Sequence, residues 1–276
     1  MIGKTIWLVL LLLVLTIVLV LMGKTMGDTI GVLVALLLVL SLTIGFYAYA
    51  DQMLIKIARA RPMPTDKAPW FADMVGHLAQ QANVAPPHLY IIGCGTPNAF
   101  VIGRNTQNSM FVVTTGILHL LTRDELRAVS AQAIAHIRQP QLPIVTIASA
   151  LAGSVLCIVP PTCRHWFSRV ALLMLSPLAL ALIHAGISRT RELVADAEAA
   201  HMLGDPLSLA SALEKLEWAA QQVPMAVNPG TAPVYMVSPL QEDQLLGRLF
   251  SPQPATTRRV ARLRAMVHQS HLVIAL

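Results

Sequence analysis

Apolar residues run without a charge from Ile6 to Met22 and again from Ile30 to Ala50, parted by the polar stretch GKTMGDT. About 20 apolar residues in helical conformation cross a bilayer, and slightly fewer suffice with local thinning. The two runs, 17 and 21 residues long, therefore predict a transmembrane helical hairpin over residues 1–50. A signal peptide is the competing reading of the first run, but no small-residue cleavage site precedes the second. A second pair of apolar runs lies at Leu142–Pro160 and Val170–Ile187, parted by PTCRHWFSR, with Pro177 predicting a kink. It is read as a second transmembrane hairpin over 142–187. The alternative is a helical hairpin buried in the soluble part.

Two less apolar stretches remain, 51–141 and 188–276. In the first, WFADMVGHLAQQANV has helical periodicity and APP stops it. HLYIIGCG and SMFVVTTGIL are strand-like, rich in β-branched and aromatic residues, with turn residues in GRNTQN between them. From Arg123 the period is helical again, and Thr122 with Glu125 makes a capping box. In the second stretch, SRTRELVADAEAAHMLG and DPLSLASALEKLEWAAQQV read as helices parted by Gly204 and Pro206. SPQPATTRRVARLRAM reads as a proline-punctuated loop and a basic helix, its charges solvated or facing lipid. The fold class expected is a mainly α membrane protein: two transmembrane hairpins plus an α+β domain with a small sheet, split in sequence by the second hairpin.

Composition agrees: 55% of the 276 residues are hydrophobic and 12% charged, too apolar for an ordinary soluble globule. The net charge of +6 points to loops facing anionic lipid, with no motif for nucleic acid. Lys56, Arg59, Arg61 and Lys67 follow the first hairpin, whereas its turn carries Lys24 offset by Asp28. The positive-inside rule then places both termini and the soluble domain in the cytoplasm, and the lipid bilayer is the expected partner. Cys94, Cys157 and Cys163 show no C-x-x-C spacing and read as unpaired thiols.

PNAFVIGRN (97–105), VVTTGIL (112–118), DELRAVSAQAIAH (124–136), SRTRELVADAEAA (188–200) and LFSPQP (249–254) occur in one order over most of the chain. Together they resemble the HtpX-type membrane zinc metallopeptidases, relatives of the CAAX prenyl proteases. The resemblance implies a zincin-like domain, zinc, a bacterial inner-membrane location and a role in membrane-protein quality control. In that family one helix carries H-E-x-x-H. Histidines four apart share a helical face and reach one tetrahedral zinc, while the glutamate takes a proton from the zinc-bound water. A glutamate of the SRxRE helix supplies the third ligand.

Mapped onto this chain, the pattern breaks. Gln132 stands at the first histidine and Ala133 at the general base; His136 keeps the second histidine and Glu192 the third ligand. Asp196 and Arg189 are supporting positions in the SRTRE segment, and Asn98 fits a turn and strand near the cleft, with simple packing as its other reading. The later histidine of the family's F-S-T-H-P is Gln253, and Pro140 and Gln141 replace a usual Gly-Asp. The losses fall on chemistry and the retained residues on scaffold. The expectation is a pseudoprotease with doubtful zinc binding at His136 and Glu192, acting on unfolded or membrane polypeptides or modulating a relative. The alternatives are an active zinc endopeptidase with a modified ligand set and a structural membrane protein.

Overall fold

The computed structural model describes residues 2–64, 68–158, 189–223, 225, 227–239 and 254–274. Helix α1 spans Ile2–Ile57. Drawn straight, 56 residues would reach about 84 Å, far beyond the roughly 30 Å of a hydrocarbon core. The chain instead leaves helical conformation at Gly27 (φ −150°, ψ 20°) and Asp28 (φ 48°, ψ −128°) and folds back. Gly23 and Gly31 meet across this reversal, and a β-carbon on either would collide with the other's carbonyl. That approach requires glycine. Outward-facing Leu21, Leu33, Leu37, Leu40 and Ile44 are exposed. Thr16–Ile57 is the one helix among the described residues long and apolar enough to cross a membrane.

Four strands follow: β1 (Arg61–Pro62), β2 (His88–Ile92), β3 (Ala99–Gly103) and β4 (Ser109–Thr114). Their order is β1-β2-β4-β3, with β2 and β4 parallel and the outer pairs antiparallel. Side chains alternate across a sheet, and both faces are covered here. Phe100, Ile102 and Val112 pack with Ala50 and Leu54 of α1 and with Val145 and Ala150 of α5 (Leu142–Ile158). Val101, Phe111 and Val113 face a larger core with α2 (Pro69–Gln81), α4 (Arg123–Arg138) and α7 (Pro206–Gln222).

Helix α5 differs from α1 in its surroundings. Leu142, Val145, Ala148, Ala150 and Ala152 are buried, and the turn at 228–231 is pinned to it, with Asn228 Nδ2 donating to the Gly153 carbonyl (2.9 Å). Among the described residues, this first run of the expected second hairpin packs against α1, β3 and the 228–231 turn, with Cys157 exposed. The second run, 170–187, lies outside the described residues. Among the cysteines, Cys94 and Cys157 are unpaired, and Cys163 is outside the described residues.

The strand expected over SMFVVTTGIL stops at Thr114, and Thr115–Leu120 forms helix α3. The Thr114 hydroxyl accepts the Ile117 amide and so caps a helix that residue propensities alone did not announce. Helix α4 is the centre of the domain: apart from Arg127, every residue from Glu125 to Ile137 is buried. Its small residues, Ala128, Ser130, Ala131, Ala133 and Ala135, let α6 (Arg189–Leu203) and α7 approach closely. Helix α8 (Thr256–Ile274) closes the bundle against α7.

The Thr122–Glu125 capping box is present in both directions. Glu125 also ties α4 to α7, accepting from Ser211 (2.6 Å) and pairing with Lys215 (2.7 Å). Glu125→Ala should lower the unfolding free energy, read by denaturant titration, by about 1–3 kcal/mol, and Glu125→Gln by less. Equal stability of Glu125→Ala and the parent would show that this tie is idle.

Candidate functional site

The four-residue spacing on α4 puts Gln132 and His136 on one face, opposite Glu192 and Asp196, themselves one turn apart on α6. All four are buried. His136 Nε2 lies 3.2 Å from Glu192 Oε2. Gln132 Nε2 donates to Glu192 Oε2 (3.4 Å) and Asp196 Oδ1 (3.2 Å). The amide also lies 3.4 Å from His136 Nε2, but the two carboxylates facing it outweigh that one contact and call for its nitrogen there. The nitrogen of Gln132 therefore stands among the groups that a metal would otherwise join.

Burial would raise the Glu192 carboxyl, but His136, Arg259 and Arg191 hold it well below the ordinary carboxylate range. An ionised carboxylate only accepts, so the contact with His136 needs a proton on Nε2. On the other side of the ring, Arg191 Nε lies 3.2 Å from His136 Nδ1 while also donating to Gln139 Oε1 (3.0 Å). Gln139 Nε2 in turn donates to the Arg191 carbonyl (3.1 Å). Nδ1 also lies 3.3 Å from Gln139 Oε1, so it is the ionised Glu192, and not the Nδ1 side, that calls for a donor at Nε2.

Asp196 is committed elsewhere. Arg259 of α8 grips it with Nε (2.8 Å) and Nη2 (2.7 Å) and donates through Nη1 to the Met236 carbonyl (2.9 Å). Arg259 is 1% exposed, and the Asp196 charge raises its guanidinium pKa against the effect of burial. Ala133 lines the same cleft with a methyl group and offers no proton acceptor. The cavity enclosed by Gln132, Ala133, His136 and Glu192 measures about 10 Å³, near the lower limit for one water.

Zinc takes imidazole, thiolate or carboxylate, with at least three protein donors. Here one imidazole and one carboxylate bond to each other, the third place is a carboxamide nitrogen, and Asp196 is clamped by arginine. This donor set does not fit zinc. No group of three or more His, Cys, Asp or Glu able to hold a metal occurs among the described residues.

Residues 64–267 match the model of peptidase family M48. The chain belongs to that family. A "Protease HtpX homolog" of Persephonella marina is 38% identical over 251 residues, covering 83% of this chain and 86% of the relative. Another of that description, from Thermococcus sibiricus, is 35% identical over 238 residues, covering 79% and 80%. Among solved structures, Ste24p of S. mikatae superposes with a TM-score of 0.52 at 17% identity. That match covers 94% of this chain but 64% of the longer one, and it speaks to the fold alone.

The fold brings together Gln132, Ala133, His136 and Glu192, the positions that the resemblance singled out. Of the expected supporting residues, Asp196 joins this cluster. Asn98 does not: it is buried at the head of β3 and holds Val237 instead. Arg189 is the first residue of α6, and Gln253 lies outside the described residues. Two partners were missed in the sequence. Gln139 sits just past the helix end, where no motif marks it. Arg259 belongs by composition to a run of solvated charges, yet it shares a stripe with Thr256, Val260 and Leu263, all buried. That spacing was the available signal.

The low Glu192 pKa has a consequence for stability. A carboxyl depressed on folding contributes above its unfolded pKa, near 4.5, and loses that contribution as pH falls toward the folded value. The parent should therefore lose stability on acidification below about pH 4.5, by up to about 1.4 kcal/mol per pH unit for this one proton. Glu192→Gln should flatten that slope, measured by denaturant unfolding in detergent across the acid range. Parallel slopes in the two proteins would contradict the assignment.

Proposed function

We propose that this M48 chain is a membrane-anchored HtpX homologue without peptidase chemistry, which binds unfolded or membrane polypeptides, or modulates an active relative, in membrane-protein quality control. The observation that carries this reading is Gln132: its amide nitrogen bridges Glu192 and Asp196 where the family's first histidine would bring a metal. Ala133 adds to it. General-base catalysis is typically worth about 10²–10⁴ in rate, and a methyl group supplies none. The apolar hairpin of α1, with Tyr47 and Tyr49 exposed near its end, supports anchoring, since tyrosine favours the membrane interface. The basic residues that follow support a cytoplasmic domain.

The test uses purified full-length protein in detergent and fluorescein-labelled, carboxymethylated α-lactalbumin, which stays unfolded. The parent should bind this polypeptide and leave it intact, with or without added zinc. Gln132→His combined with Ala133→Glu should gain bound zinc before it gains cleavage, since His136 and Glu192 already flank position 132. Chelator-sensitive cleavage by the parent, abolished by Glu192→Ala, would overturn the proposal in favour of a peptidase with a modified ligand set. Absence of polypeptide binding by the parent would refute the binding role.

A further inference from the structure

Strand β3 ends the sheet on the side of the cleft, yet its outer edge is not free. Residues 234–237 run alongside it. Tyr235 and Phe100 form an antiparallel bridge, and Met236 N–H donates to the Ala99 carbonyl (2.8 Å). Asn98 continues the pairing with its side chain, donating from Nδ2 to the Val237 carbonyl (2.8 Å) and accepting the Val237 amide at Oδ1 (3.4 Å). The amide thus reads both backbone groups of one residue, as a neighbouring strand would. At the far end of β3, the Gly103 amide donates to the Thr146 hydroxyl (3.0 Å).

The same segment walls off the cleft. Val234, Tyr235 and Met236 line the 10 Å³ cavity over Gln132 and His136, and Tyr235 also lines a second cavity of about 830 Å³. The larger space is bounded by Ile57, Arg59, Ile91, Ile92, Met225 and Val227, so it is partly apolar and has room for side chains. Sheet edges take extended polypeptide by strand addition, with backbone bonds supplying affinity and alternate pockets selecting side chains.

We infer that residues 234–237 are an internal stand-in for a strand of bound polypeptide, and that an extended segment of client protein displaces them to pair with β3. Displacement of Tyr235 joins the closed cleft to the larger cavity and gives the client's side chains their space. The inference rests on the polypeptide-binding reading above and adds the surface, the conformation of the client and the strap that competes with it.

The test locks or loosens the strap in a background with the three native cysteines replaced by serine. Phe100 and Tyr235 are flanked, not joined, by backbone hydrogen bonds. Pairs of that kind have α-carbons about 4.5 Å apart, a span a disulfide accepts. Phe100→Cys with Tyr235→Cys, oxidised, should weaken binding of the labelled α-lactalbumin at least about tenfold, because the competent state is removed, and reductant should restore it. Met236→Pro deletes the amide bonded to Ala99 and should strengthen binding. Separately, Ala133→Cys should react with a maleimide faster when combined with Met236→Pro, which reports cleft opening without any client.

Binding equal in oxidised and reduced protein, with maleimide rates unmoved by Met236→Pro, would overturn the strap while leaving polypeptide binding intact. Faster labelling without binding in any form would keep the strap as a cover and refute the client. Because the aromatic pair is part of the core, the proline variant keeps the question answerable if the double cysteine fails to fold.

Discussion

Two carboxylates one turn apart on α6, Glu192 and Asp196, are buried with little access to water, and buried negative charge must be neutralised. Much of the domain's arrangement answers that demand. Arg259 reaches from α8 to take Asp196 with two nitrogens. His136 and Gln132 reach from α4 to Glu192, and Arg191 holds the far side of the imidazole. Three helices are thereby joined through one polar knot inside an otherwise apolar core. Removing a single partner from such a knot is costly, because it strands a charge that the others no longer match.

That neutralisation also defines the chemistry. In a zinc peptidase the metal brings positive charge to the carboxylate, and the imidazole offers it a lone pair. Here arginine supplies the charge, and the histidine nitrogen facing Glu192 is a donor. The amide of Gln132 sits among the same groups and gives hydrogen bonds where a ligand would give electrons. On the reading proposed above, with Ala133 beside it, the cleft keeps its shape without peptidase chemistry. Its other wall is the 234–237 segment, tied to the polar knot through Arg259 and the Met236 carbonyl, so site and strap are mechanically linked.

Much of this was legible in the sequence where local rules decide. The capping box of α4, the turn between the two apolar runs of α1 and the four-residue spacing of Gln132 and His136 all follow from short-range patterns. So did the juxtaposition of His136 and Glu192, through family resemblance. What escaped depends on contacts distant in sequence. Arg259 acquires its role from Asp196, 63 residues away, and Asn98 from Val237, 139 residues away. Helix α5 has the composition of a membrane span, and its described part packs on α1, the sheet and the 228–231 turn. Composition alone cannot tell lipid from protein as the apolar neighbour.

The most direct test of this account is zinc per chain, by elemental analysis of detergent-purified parent protein equilibrated with micromolar zinc and run beside Glu192→Ala. The account predicts zinc far below one per chain in both proteins. One zinc per parent chain, lost in Glu192→Ala, would contradict it and would mean that the polar knot opens to admit a metal.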